Sequence, residues 1–124
     1  MTNIFYIALF GGLGSVLRYG MTNAVFLMGA RGFPYGTLTV NIIGSVVIGI
    51  VYVWLYERTG AGPEWRLALI TGLLGGFTTF SAFSLETVQL LQGGQPGKAM
   101  LNILLSVMLC LAGCWLGIML GKKF

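Results

Sequence analysis

The sequence predicts an all-α membrane protein with four transmembrane helices, the third broken near mid-membrane. Three observations carry that prediction. Apolar residues make up 56 % of the 124 residues, charged residues only 8 %, and mean hydropathy is +0.89. A soluble domain carries about 25 % charged residues, so this chain could not cover a globular surface. Its apolar residues also fall into four runs of about 20 residues, the length that crosses a bilayer. Finally, the third run contains Gly75-Gly76-Phe77-Thr78-Thr79, a poor helix-forming stretch. Residues 1–124 are read as a single four-helix transmembrane domain.

The first run extends from Ile4 to Met28 with one charge, Arg18, and the loop from Gly29 to Pro34 ends it. The second, from Gly36 to Tyr56, is uncharged; Gly60, Gly62 and Pro63 punctuate the loop that follows. The third runs from Trp65 to Leu91 and stops at Gly93-Gly94-Gln95-Pro96. The fourth runs from Ala99 to Leu120 and ends in Gly121-Lys122-Lys123-Phe124. Tyr35, Tyr56 and Trp65 lie near span ends, as an aromatic belt requires. Met1-Thr2-Asn3 carries no positive charge on its side chains, and no small-residue cleavage site follows. The first run therefore reads as a retained helix rather than a signal peptide.

Composition excludes several function classes. The 7 basic and 3 acidic residues are scattered, with no basic block for nucleic acid. Histidine, the commonest metal ligand and general base, is absent from the sequence. No phosphate-binding loop, dinucleotide fingerprint or nucleophile with an adjacent base is present, so an enzyme is not expected. Cys110 and Cys114 both lie within the fourth run and give no disulfide framework.

With four spans, Arg58, Arg66, Lys122 and Lys123 fall on one side of the membrane, and Arg31 and Lys98 on the other. Arg18 joins the second group if it snorkels outward. Lys/Arg bias sets topology, and here it is nearly balanced. Both a single orientation and insertion in two orientations are compatible with that count. The second would give an antiparallel homodimer, supplying between chains the inverted symmetry that transporters often carry within one. Gly72 and Gly76, then Gly113, Gly117 and Gly121, have the four-residue spacing that lets membrane helices approach closely. Spacing alone does not say which helices meet.

Polar groups inside spans are costly and mark cavities or partners. Thr37, Asn41 and Ser45 share one face of the second helix at four-residue steps. Asn41 brings two amide donors there, for an interhelical bond or for a ligand. Lys98, Asn102, Ser106 and Cys110 form a similar row on the fourth helix. A break within Gly75-Gly76-Phe77-Thr78-Thr79 would leave backbone groups unpaired, tolerable at membrane depth only inside protein or beside a wet cavity. Freed carbonyls are natural ligands for a bare cation. Phe80 and Phe83 share a face, either as packing or as ring edges presented to an anion. Arg18 can snorkel, pair with Glu86 or set a positive potential at an entrance; Glu86 can be that partner, a vestibule residue or a proton-coupling carboxylate. Rows rich in donors and poor in carboxylates indicate passive anion passage, since a carboxylate would repel the ion.

Gly11-Gly-Leu-Gly14-Ser-Val-Leu-Arg18-Tyr19, Gly36-Thr-Leu-Thr-Val-Asn41 and Gly75-Gly-Phe-Thr-Thr-Phe80-Ser-Ala-Phe83-Ser-Leu-Glu86 together resemble the Fluc family of bacterial fluoride channels, also called CrcB. The resemblance implies fluoride export across the bacterial inner membrane by a multi-pass antiparallel homodimer with two pores. It places Asn41 in the pore, Phe80 and Phe83 with ring edges toward fluoride, and Thr79, Ser81, Ser84 and Ser106 in a hydroxyl-lined track. Asn102 of the fourth-helix row would join that pathway, with Arg18 near a vestibule. Backbone carbonyls of Gly75 and Thr78 from both subunits would hold a structural sodium ion at the dimer centre. Three positions depart from the family pattern: Ala82 stands where threonine is usual, Asn102 where tyrosine is common, and Cys110 where serine can occur. Two other classes stay open on the residues alone. A proton-coupled small multidrug exporter would need a carboxylate in the first helix, where this chain has only Arg18; a non-transporting assembly subunit would pass no ion.

Overall fold

The computed structural model describes residues 2–124. They form helices α1 (Thr2–Leu27), α2 (Tyr35–Val53, continued by a wider π-wound turn Trp54–Arg58), α3 (residues 63–77), α4 (Phe80–Gln92) and α5 (Pro96–Lys123). With α3 and α4 counted as one interrupted span, four helical segments are long and apolar enough to cross a membrane. α1 starts two residues before its apolar stretch and ends one short of it, and the other three spans outrun theirs by one to three residues at each end. Backbone hydrogen bonding continues past the last apolar side chain until a cap or a turn stops it. Pro63 and Pro96 start α3 and α5, where a missing N–H is harmless, and Gly29, Gly60 and Gly94 take positive φ in the loops.

Glycine decides which helices meet. The main seams are α2 against α5 and α1 against α3. On the first, a Cβ at Gly117 would overlap the Val46 carbonyl oxygen, and one at Gly49 would overlap the Cys114 carbonyl. Gly113 and Gly121 face Val46 and Val53 along the same line. On the second, Gly14 lies against the Leu73 carbonyl and Gly76 against the Gly11 carbonyl, and a Cβ at Gly72 would come within 3.1 Å of Phe10 Cβ. Both seams are backbone-to-backbone crossings, the packing available in lipid where apolar side chains gain nothing by leaving it.

The ends of the helices agree with the charge grouping read from the sequence. At one end the Arg58 guanidinium donates to the Lys122 carbonyl, capping the C-terminal turn of α5. At the other, Lys98 Nζ donates to Gly32 O at 3.1 Å. Arg66 lies 4.0 Å over the Tyr56 ring and Arg31 4.4 Å over Phe26, cation–π contacts at the two span ends.

The third span is interrupted within the stretch to which the sequence points, at its threonines and not at its glycines. Gly75 and Gly76 are helical; the break falls on Thr78 (φ −90°, ψ 159°) and Thr79 (φ −151°, ψ 118°). Gly76 stays helical because it carries the crossing with α1, whereas β-branched threonine is at ease in extended backbone. Ahead of the break, Leu67–Leu74 is π-wound, a rare winding that recurs at functional sites.

Candidate functional site

A cavity of about 410 Å³ opens beside the break, between α2, α3, α4 and α5. Asn41 and Ser45 come from α2, Gly75 and Thr78 from α3 and the break, Thr79, Phe80 and Phe83 from the start of α4, and Ser106 and Cys110 from α5. Two of the three polar features seen in the sequence, the α2 row and the broken span, thus meet with part of the third. No Asp or Glu lines it.

Asn41 holds the break in shape. Its Nδ2 donates to Thr79 O at 3.0 Å, and its Oδ1 accepts from Thr79 N at 2.8 Å. Because Thr79 N–H can only donate, it fixes Oδ1, and the amide orientation follows from the network. One N–H of Asn41 remains beyond this pair. The Thr79 hydroxyl then accepts from Ala82 N at 3.1 Å, an N-cap for α4. Ala82 contributes its backbone N–H here, a role its side chain does not affect.

The same arrangement frees carbonyls. In an unbroken helix Thr79 N–H would bond Gly75 O; with that donor on Asn41, no N–H or O–H among the described residues reaches Gly75 O or Thr78 O. Gly76 O is met by Arg18 Nε at 3.1 Å, a cation at the negative end of α3. Arg18 therefore spends its Nε on the break rather than on Glu86. The Glu86 carboxyl lies beside Thr37, with Oε1 buried and unbonded among the described residues.

The remaining candidates divide. Phe80 and Phe83 are 5.2 Å apart with planes tilted by 46°; Phe83 is 9 % exposed and Phe80 77 %. Ser81 and Ser84 sit on α4 outside the cavity wall, Ser81 Oγ 3.3 Å from Thr79 Oγ1 and Ser84 Oγ donating to Phe80 O at 3.0 Å. Asn102 is buried between α4 and α5, and donates to Thr87 Oγ1 at 2.9 Å. Thr87 donates in turn to Phe83 O at 2.7 Å. Thr87 escaped the sequence reading, although it stands four residues from Phe83 and was visible as a hydroxyl on that helix.

The description "CrcB-like protein, Camphor Resistance (CrcB)" belongs to a family whose pattern matches residues 5–118. The chain belongs to the CrcB family. Among curated CrcB relatives, a Coxiella burnetii protein is 47 % identical over 122 residues, 98 % of each chain. Proteins of Geobacter sulfurreducens and Flavobacterium psychrophilum are each 48 % identical over 123 residues, 99 % of each chain. All three relatives are called "Fluoride-specific ion channel FluC". The CrcB match reaches into every helix described above and includes both sides of the break.

Proposed function

We propose that this multi-pass CrcB protein is a passive fluoride channel of a bacterial inner membrane that exports cytoplasmic fluoride, working as an antiparallel homodimer with two pores. It is no enzyme. The observation that carries the reading is the cavity at the break, lined by the Asn41 amide, by serine and threonine side chains and by Phe80 and Phe83, with no carboxylate among the described residues. A negative wall would cost a passing anion about 4 kcal/mol at 4 Å and an effective dielectric of about 20. The N–H groups of Phe80 and Ser81 open α4 after extended backbone, so no preceding helical carbonyl takes them, and an anion is favoured there. Phe80 and Phe83 add positive ring edges, and the free Asn41 N–H and the Thr79–Ser81 hydroxyl pair add polar hydrogen. Arg18, with its remaining guanidinium N–H groups, raises the potential near the break. The CrcB relatives' shared name supports fluoride as the anion.

Pairing with a second copy is supported by what one chain leaves uncovered. Thr71, Gly75, Phe80 and Ser81 are all exposed within the third span, and polar backbone does not face lipid. The near-even Lys/Arg count permits the second copy to insert the other way. A sodium ion fits the same place: Gly75 O and Thr78 O are hard oxygen ligands left without donors, and a second copy would double their number. The ion would lock the two breaks together. Replacing sodium by N-methylglucamine is expected to lower the dimer's Tm by several degrees, read by a fluorescence melt in detergent; an unchanged Tm argues against the ion.

The deciding test is efflux from liposomes, with fluoride and chloride electrodes in parallel. Fluoride release with chloride retained is expected, and Phe80→Ile should slow it by at least tenfold, because an aliphatic side chain offers no positive edge. Equal release of the two anions would refute selectivity. Proton-driven efflux of organic cations, lost in Glu86→Gln, would instead restore the multidrug-exporter reading.

A further inference from the structure

The hydrogen bonds between α4 and α5 run in one direction only. Phe83 O is a pure acceptor, so the Thr87 hydroxyl must spend its single proton there, at 2.7 Å. Thr87 Oγ1 can then only accept, which turns the Asn102 amide so that Nδ2 faces it at 2.9 Å. Asn102 Oδ1 consequently points the other way along α5, to Ser106 Oγ at 3.4 Å. An amide oxygen cannot donate, so the Ser106 proton lies on this bond. Asn102 is 2 % exposed, Thr87 7 % and Ser106 8 %, so water does not compete for the partners. Ser106 also lines the cavity, and what it shows the cavity in this arrangement is its lone pairs.

Building on the fluoride-channel reading, we infer that Asn102 is a positioning residue that turns the Ser106 proton away from the ion path. Ser106 is thereby silenced as an anion donor. The Ser106 contact is the longest of the three, so it is the link that an ion would have to break. Removing the acceptor frees the proton to rotate into the cavity, and Ser106 becomes a fluoride ligand. Removing the Thr87 hydroxyl oxygen acts the same way: Asn102 can then flip, donate to Ser106 and release its proton.

Fluoride efflux from liposomes, compared across single and double variants, tests this. In the unaltered chain Ser106→Ala is expected to change half-saturating fluoride less than twofold. In the Asn102→Leu or the Thr87→Val background it is expected to raise that value about tenfold, the factor one hydrogen bond to a charged acceptor supplies. A merely structural role for Asn102 predicts no such dependence on background. A tenfold effect of Ser106→Ala alone, or equal effects in all backgrounds, overturns the proposal. Thr87→Val serves if Asn102→Leu fails to assemble, because it keeps the buried volume. If the unaltered protein passes no fluoride, the proposal falls with the channel reading; if it passes fluoride and only the variant pattern fails, the channel reading stands.

Discussion

Gly117→Val is expected to prevent α2 and α5 from packing, and to leave little protein that survives detergent extraction as a single species. The Cβ alone would overlap the Val46 carbonyl oxygen and come within 3.2 Å of Gly49 Cα. Both are backbone atoms in regular helix, and neither can rotate aside as a side chain could. Ordinary overpacking costs about 1–3 kcal/mol; here the two helices must separate along the whole seam, and the loss approaches the roughly 5–15 kcal/mol stability of a folded domain. Gly121→Ala on the same line meets Val53 Cβ at 3.0 Å, a contact that a small shift of α5 relieves. It should cost much less. Size-exclusion profiles and melting curves of the two variants check this pair; a monodisperse Gly117→Val protein with the original Tm would show that the α2–α5 approach is wrong.

That contrast also shows what the sequence could reveal about packing. Glycines at 113, 117 and 121 announced a close crossing, and the fold has one. Their partner was not legible, because spacing records only one side of a contact. Gly49 and Val46 on α2 supply the other side, and in sequence they are ordinary residues of an apolar run. The same limit applies to the third span. The stretch from Gly75 to Thr79 indicates the break without saying which of its residues leave the helix: Gly76 is kept helical by its approach to Gly11 on α1, a long-range demand that local propensity cannot contain. The extended residues are instead Thr78 and Thr79.

The candidate site was more legible than the packing, and for a physical reason. A polar group in a membrane span has few neutral explanations, so Asn41, Thr79 and Ser106 were conspicuous before any fold was known. Their company was harder to foresee. Asn41 had two readings, a helix-to-helix bond or a ligand donor, and the structure uses most of its capacity for the first by clasping Thr79. Asn102 falls on the Ser106 face of α5 yet serves a buried chain to Phe83 O. Periodicity assigns a face; it does not say whether that face meets a cavity or another helix.

Asn41 separates the two roles, and substitution there is expected to have the largest effect on transport. Asn41→Leu removes both bonds to Thr79 and strands the Thr79 N–H at about 1–3 kcal/mol, while Thr79 O keeps only its place at the start of α4. The break should lose its shape, with Tm and efflux falling together. Asn41→Asp is the sharper experiment. A carboxylate still accepts from Thr79 N–H, in the place of Oδ1, while its second oxygen faces Thr79 O without a proton; the clasp is weakened on one side and assembly should persist. Its charge, however, faces a cavity that holds no other acidic group. Repulsion of about 4 kcal/mol at close range corresponds to roughly a thousandfold slower anion passage. The expected result is a folded protein with a modestly lowered Tm and no measurable fluoride efflux. Should Asn41→Asp pass fluoride at the original rate, the cavity beside the break is not the path, because no ion route through it escapes that charge.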